Sequence, residues 1–177
     1  MHDMNRGEVT KVLTEELSLL AERIKQNHIR AGQVASGRTL RSITFDVNDN
    51  VGTLYGRFPF GTLETGRKAG RIPRNLDAII YQWAKAKGIH PEPMPYVRQP
   101  SDRWRPKYSS AEERAMWTFS KAVAKKIQRE GTLLHREGGR ADIYSNEIPD
   151  AIERIEKRIT AIFETVVQSI HINQAAE

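Results

Sequence analysis

Apolar residues recur with a helical period near both ends of the chain. From Glu8 to about Arg30, they fall at spacings of three and four residues, which predicts an amphipathic helix that Gly32 ends. The same spacing predicts a last helix that begins near Pro149, a residue suited to a first helical turn. We expect its stripe to pack along another long helix, either the first helix or a copy in a neighbouring subunit. The stripe consists of Ile152, Ile155, Ile159, Ile162 and Val166.

A period of two replaces the helical period after the first helix and predicts a β-hairpin. Ile43, Phe45 and Val47 alternate with polar residues, and a second strand runs from Val51 to Arg57. Residues 48–50, with the sequence NDN, favour a turn because Asn and Asp tolerate left-handed conformations. A lone hairpin is marginal in water, so further strands, helices or neighbouring subunits must complete the sheet.

A basic loop punctuated by glycine leads into a short helix in the middle of the chain. Glycine suits the loop because it reaches positive φ without steric cost, and Pro73 ends it. Asn75 is the predicted N-cap of the helix, and Gly88 is its predicted stop. The apolar face that we expect in the core consists of Leu76, Ile79, Ile80 and Trp83. The candidate interface or phosphate contacts are Arg57, Arg67, Lys68, Arg71 and Arg74.

Five prolines interrupt the chain between His90 and Tyr108. Proline removes a backbone donor and biases the preceding residue towards extended conformations. The segment also carries aromatic and basic residues, which predicts an arm that becomes ordered against a partner. Its aromatic rings could stack on bases, but arginine beside aromatic residues more often marks a protein interface. The candidate arm contacts are Tyr96, Arg98, Arg103, Trp104, Arg105, Lys107 and Tyr108.

A capping box, SAEE at residues 110–113, opens the next predicted helix, which runs to about Glu130 and stops at Gly131. We expect a basic loop at 132–140 and a short extended piece at 142–145. The predicted core residues of this helix are Met116, Trp117, Phe119, Val123 and Ile127.

Composition narrows the class of protein. The 177 residues fit a single domain, residues 1–177. The absence of cysteine excludes disulfides and thiolate metal sites, and the net charge of +6 suggests a polyanion or an acidic partner. No apolar run approaches the roughly 20 residues of a membrane span, and no signal-peptide core is present, so we expect a protein used in the cytoplasm. Its predicted parts are an N-terminal helix (1–31), a hairpin, basic loop and helix (32–89), a proline-rich arm (90–109) and a helical C-terminal part (110–177).

Candidate chemistry is sparse. The five histidines are scattered without ligand spacing, and we expect them on the surface. A nuclease would need clustered carboxylates to hold Mg²⁺, and the candidates are Glu64, Asp77, Asp142 and Glu147. These carboxylates could instead pair with the loop arginines or favour a helix N-terminus. No phosphate-binding loop, dinucleotide fingerprint or nucleophile elbow is present, so we expect no enzyme, metal or cofactor.

Four short motifs follow one another along the chain: SGRTLRS at 36–42, ETGR at 64–67, IYQWAKAKGI at 80–89 and AKKIQREGT at 124–132. Their order and spacing resemble a known family, the neck or tail-completion proteins of tailed bacteriophages, the head-to-tail joining proteins typified by "gene product ten". The resemblance covers most of 35–148, and only the proline-rich arm is longer than in that family. The positions that carry it are Ser36, Gly37, Leu40, Ser42, Glu64, Gly66, Arg67, Ile80, Trp83, Lys87, Gly88, Ile89, Ala124, Ile127, Gly131 and Thr132.

The resemblance implies an α+β subunit with a small antiparallel sheet, flanked by long N-terminal and C-terminal helices and two shorter helices. It implies a ring in the virion neck, assembled in the bacterial cytoplasm, but ring size and the exact station in the neck do not carry over from the family. We expect a hexamer or dodecamer of the chain. The partners would be other neck, portal or tail proteins. A contact with the DNA in the lumen would be non-specific. The alternative function is a DNA-binding protein or a Mg-dependent nuclease that acts on phage DNA.

The basic loop could hold either DNA phosphates or acidic side chains of an adjoining ring, since it precedes a helix N-terminus, where anions are favoured. We expect the protein contact, because Glu64 would repel phosphate from the loop.

Overall fold

A computed structural model describes residues 2–95 and 108–174 of the chain. The chain forms two compact units: unit 1 comprises Met1–Glu64 and Arg140–Glu177, and unit 2 comprises Thr65–Gly139. Unit 2 is therefore an excursion from unit 1 along the sequence. The α+β class is confirmed, with a two-stranded antiparallel sheet and a long helix near each end. That residues 1–177 behave as one domain stays a prediction.

Unit 1 contains the two long helices and the hairpin. The short segments α2 and α3 each make one helical turn, and a 3₁₀ turn at Phe58–Gly61 precedes α3. The second strand ends at Tyr55, so Arg57 lies beyond the ladder and not within it as predicted. The elements are α1 (His2–Arg30), α2 (Arg38–Arg41), β1 (Thr44–Asn48), β2 (Val51–Tyr55), α3 (Thr62–Thr65) and α7 (Glu147–Gln174).

The hairpin forms as predicted, because its two-residue turn is occupied by residues that tolerate positive φ. Asp49 has φ 48° and Asn50 has φ 61°, the conformation that matches the twist of paired strands. The register runs from Thr44 opposite Tyr55 to Asn48 opposite Val51. The sheet packs on α1 at Gly52, where an added Cβ would lie 2.6 Å from the Leu17 Cδ1 atom. The first helix therefore supplies the cover that a lone hairpin needs.

The last helix packs on α1 of the same chain, one of the two partners predicted for its apolar stripe. The buried Glu16 carboxylate fixes this contact, because it accepts from Arg154 Nε at 2.8 Å and from Arg158 Nη1 at 2.9 Å. The core of unit 1 consists of Leu17, Leu20, Ala21, Ile24, Ile43, Ile143 and Ala151.

Part of the predicted stripe of α7 faces outwards. Ile152 is 50% exposed, and Phe163 and Val167 are each 51% exposed. Together with the exposed Glu156, they recur at helical spacing on one side of the helix. We call these four residues the outer flank of α7. Ile152 is not covered by α1, because that contact covers only the neighbouring side of the stripe, and its packing on a copy in a neighbouring subunit stays a prediction.

Unit 2 is built on two packed helices, α4 (Leu76–Ala86) and α5 (Ala111–Glu130), followed by the single turn α6 (Leu133–Arg136). Small side chains let α4 and α5 approach closely, and Tyr81 stacks on Trp117 with 4.7 Å between ring centroids. The predicted residues Met116, Trp117, Phe119, Val123 and Ile127 are only half-buried. The buried side chains are Leu76, Ala84, Ala115, Ser120 and Ala124.

The exposed face of α4 corrects another prediction. Trp83 is 40% exposed and Ile79 is also exposed, whereas we expected both in the core. The face of α4 that packs on α5 is centred on Leu76 and Ala84, so the apolar stripe of the helix is wider than the contact that covers it. Trp83 therefore contributes an aromatic surface to unit 2.

The caps follow local chemistry with two exceptions. Ser110 accepts from the Glu113 amide, as the capping box predicts, but the Glu113 carboxylate accepts from Ser109. Asn75 occupies the N-cap position of α4 without a capping bond from its side chain. Gly88 and Gly131 end α4 and α5 with positive φ, as predicted.

Three short segments differ from prediction. Residues 142–145 form a turn where an extended piece was expected, and the predicted loop at 132–140 contains α6. The resemblance implies a strand at 36–42, but Arg38–Arg41 form the one-turn helix α2.

We predict that Trp83→Ala lowers the free energy of unfolding by only about 1 kcal/mol, because the ring is partly exposed. The matched variant Leu76→Ala removes a buried side chain of the same helix and should cost about 2–4 kcal/mol. Urea unfolding of both variants checks this order. An equal or larger loss for Trp83→Ala would place the indole in the core of unit 2.

Candidate functional site

The basic loop of unit 2 is locked onto the end of α5. The Arg67 amide donates to Thr132 Oγ1 at 2.8 Å, and the Arg67 carbonyl accepts from the Thr132 amide at 2.9 Å. Gly70 then donates to the Gln128 carbonyl at 2.8 Å. Thr132 also caps α6 by accepting from the His135 amide. One threonine thus holds both the loop and the following helical turn.

Glycine is required on both sides of this contact. Gly66 has φ 65°, and an added Cβ would lie 2.6 Å from both the His135 nitrogen and Thr132 Oγ1. Gly131 has φ 79°, and its Cβ would lie 2.7 Å from the Arg67 carbonyl oxygen. Gly66 and Gly131 belong to two different motifs of the resemblance. The backbones of these motifs approach so closely that neither position has room for a Cβ atom.

Arg67 shapes the loop from inside. Its side chain is half-buried, and its Nη2 donates to the Arg71 carbonyl at 3.0 Å. Its Nε is buried and has no hydrogen-bond partner among the described residues. The guanidinium is thus engaged by its own loop, which makes Arg67 a positioning residue for the cations beside it.

The exposed cations of the loop are Lys68, Arg71 and Arg74. Arg57 is exposed as well but belongs to unit 1, where its amide donates to Ser42 Oγ at 3.2 Å. Of the five predicted contacts, four therefore share one unit, and three of these present their charge to solvent.

Charge is divided unequally between the two units. Residues 65–139 hold 16 of the 28 basic residues and 7 of the 22 acidic ones. Unit 2 therefore carries more than the whole net charge of +6, and the rest of the chain is net acidic. An anionic partner would be drawn to unit 2.

A cleft of about 520 Å³ lies beside the basic loop, within unit 2. Its floor is apolar and includes Ile72 and Leu76, while Arg74, Lys121 and Lys125 surround it as cations. Sequence analysis missed Lys121 and Lys125 as site residues. Their spacing of four on α5 was the available signal, because residues four apart share one face of a helix.

Tyr108 lines the same cleft. Lys121 Nζ lies 3.3 Å from its hydroxyl oxygen and 5.9 Å from its ring centroid. The other predicted arm contacts lie outside the described residues: Tyr96, Arg98, Arg103, Trp104, Arg105 and Lys107.

Glu64 holds a structural position. Its carboxylate, 3% exposed, accepts from the amides of Ile143, Tyr144 and Ser145 at 2.9, 2.7 and 3.0 Å. It also accepts from the Ser145 hydroxyl, and its carbonyl accepts from the Arg140 amide at 2.9 Å. These bonds wind residues 142–145 into a turn, because three successive amides must converge on one carboxylate.

Burial raises the pKa of the Glu64 carboxyl, but the hydrogen bonds from Ser145, Tyr144 and Ile143 outweigh it, and the pKa lies below its ordinary value. The same carboxylate and burial raise the pKa of Tyr144. Glu64 is therefore a charged group whose charge is satisfied inside unit 1. The expectation that it pairs with the loop arginines was wrong, and the expectation that its charge repels phosphate from the loop stays a prediction.

The other three candidate metal ligands are also engaged. Asp77 accepts from the Ala78 amide, and Glu147 accepts from Asn27 at 2.9 Å and Arg23 at 3.3 Å. Asp142 binds Arg140 through two bonds of 2.6 and 2.7 Å. These bonds lower the pKa of Asp142 from 3.8 to about 2.

Within residues 2–95 and 108–174, no group of three histidine or acidic side chains is placed to hold a metal ion. Nor does that part of the chain contain a helix long and apolar enough to cross a membrane. His28 is buried, which corrects the expectation of surface histidines. Comparison with family models, curated proteins and solved structures found no significant match for this chain.

We predict that Glu64→Gln lowers the free energy of unfolding at pH 7 by about 2–3 kcal/mol, because bonds to a charged acceptor are weakened. The folded-state pKa lies below 4.5, so the wild type keeps this contribution above about pH 4.5 and loses it as pH falls through the folded pKa.

Urea unfolding between pH 7 and pH 3 checks both statements. Glu64→Gln should show a weaker loss of stability with acid than the wild type, while the exposed control Glu8→Gln should follow the wild type. Identical acid profiles for Glu64→Gln and the wild type would contradict a charged structural role.

Proposed function

We propose that the chain is a structural subunit of a tailed-phage virion, one copy in a ring at the junction of head and tail. The observation that carries this proposal is the exposure of large apolar side chains in both units. Phe58 is fully exposed beside Arg57, Trp83 is exposed on α4, and the outer flank of α7 adds Ile152, Phe163 and Val167. Exposed apolar groups with neighbouring arginine favour protein contacts.

The hairpin supports assembly in a second way. Among the described residues its sheet has two strands, so neither outer edge pairs with a further strand of this chain. Val51 and Tyr55 on β2 are also largely exposed. Open strand edges are sites at which another chain can add.

The nuclease alternative has less support. It needs free carboxylates near the cations, but Glu64, Asp77, Asp142 and Glu147 each accept hydrogen bonds from backbone amides or from other side chains. We therefore infer that the protein does no chemistry. Its partners in this proposal are its own copies and the neighbouring neck, portal or tail proteins, in a virion assembled in the bacterial cytoplasm.

The basic loop would face one of two anions in such a ring. Lys68, Arg71 and Arg74 could hold acidic side chains of the adjoining ring or phosphates of the DNA that passes through the lumen. Charge alone serves phosphate, whereas a carboxylate gains from the planar fork of arginine. Substitution of the loop arginine separates the two partners.

In vitro joining of heads to tails tests the proposal. We predict that Lys68→Glu with Arg71→Glu sharply reduces joining, while Lys85→Glu on the exposed side of α4 leaves it unchanged. Arg71→Lys should preserve joining if the partner is phosphate and impair it if the partner is a carboxylate. Arg67 is avoided because its substitution would disturb the loop itself.

Two results would contradict this function. One is normal joining of heads that were made without the protein. The other is the absence of the protein from purified virions in which the other neck components are found at fixed copy number.

A further inference from the structure

The cleft of unit 2 combines two recognition chemistries. Its floor, which includes Ile72 and Leu76, suits an apolar side chain, and its cations Arg74, Lys121 and Lys125 outnumber its one carboxylate, Asp77. A bare phosphate would use the cations and leave the apolar floor exposed to water. The fitting occupant is a segment in which apolar and acidic side chains share one face.

The outer flank of α7 has this composition. Ile152, Phe163 and Val167 are about half-exposed, and Glu156 lies among them on the same side of the helix. Further exposed carboxylates on α7 come from Asp150, Glu153 and Glu164. Among its described side chains, the cations are the exposed Lys157 and the partly exposed Arg154 and Arg158, which pair with Glu16. Over 16 residues this flank spans roughly 24 Å at the rise of an α-helix. It is the longest exposed apolar stripe on a helix of unit 1, within the described side chains.

We propose that the cleft of unit 2 receives the outer flank of α7 from a second copy of the chain. Phe163 fills the apolar floor, and Glu156 and Glu164 pair with the surrounding cations. The inference rests on the proposed ring, and it names the two surfaces that meet in it.

The two surfaces differ, so the contact is heterologous: each copy uses its cleft on one side and its α7 on the other. Such contacts repeat from copy to copy and close into a ring when the rotation between copies divides a full turn. Opposite charges on unit 2 and on the rest of the chain favour this head-to-tail order over self-pairing of like surfaces.

Charge exchange in the full-length protein tests the pairing by sedimentation velocity. Lys125→Glu in the cleft and Glu156→Lys on α7 should each raise the protein concentration for half-assembly roughly tenfold, the loss expected for one charge pair of about 1.4 kcal/mol. The double variant Lys125→Glu, Glu156→Lys should regain assembly, and so should an equal mixture of the two single variants.

Two further variants separate this contact from general effects of charge or folding. Lys126→Glu changes an exposed neighbour on α5 that does not line the cleft, and it should assemble like the wild type. Phe163→Ala removes the apolar group and should weaken assembly while thermal unfolding of the subunit stays unchanged, because the ring is half-exposed.

If each of the three single variants, Lys125→Glu, Glu156→Lys and Phe163→Ala, assembles as well as the wild type, the pairing is overturned and the ring proposal still stands. If Lys125→Glu forms a normal ring but retains DNA less well, the occupant of the cleft is phosphate, and the pairing is likewise overturned. A wild-type chain that stays monomeric at every concentration would overturn the pairing and the proposed ring together.

Discussion

The buried carboxylate of Glu64 joins the two sequence segments of unit 1, at the point where the chain enters unit 2 and the point where it comes back. Glu64 gathers the amides of Ile143, Tyr144 and Ser145 and the Ser145 hydroxyl, while its own carbonyl accepts from the Arg140 amide. The last residue of unit 1 before the excursion is thus bonded to the first residue after it. Without Glu64 these amides would lose their acceptor, and for the buried Ile143 amide that loss costs more than a surface ion pair contributes. The turn that they hold also places Ile143 in the core and leads directly into α7.

The two units differ in their cores and in their charge. Unit 1 places its apolar groups between α1, the hairpin and α7, and it fixes the long helices through Glu16, Arg154 and Arg158. Burial raises the pKa of the Glu16 carboxyl, but the two arginines outweigh it and keep that pKa below its ordinary value. Unit 2 has a thinner core of small side chains and carries the excess of positive charge.

Local chemistry was predictable from the sequence, and contacts between distant residues were not. The hairpin was predicted from the alternation of apolar and polar residues and from Asp49 and Asn50, which tolerate positive φ. The ends of α4 and α5 were predicted at Gly88 and Gly131 because glycine adopts positive φ without steric cost, and both glycines do so. The burial of Trp83 was mispredicted because a stripe shows which side of a helix is apolar, not how much of it a neighbour covers. Glu64 was mispredicted because its partners lie 79 to 81 residues away. The cleft was not predicted for the same reason, because its cations come from two segments that are distant in sequence, the basic loop and α5.

In the proposed ring, the exposed apolar groups and the separated charges would lie between copies of the chain. Native mass spectrometry of the full-length protein near physiological ionic strength measures the assembled state directly. A closed ring predicts one dominant oligomer whose mass is a fixed multiple of 20.2 kDa and does not change as the protein concentration rises. A monomer at every concentration, or a ladder of masses that lengthens with concentration, would contradict a closed ring.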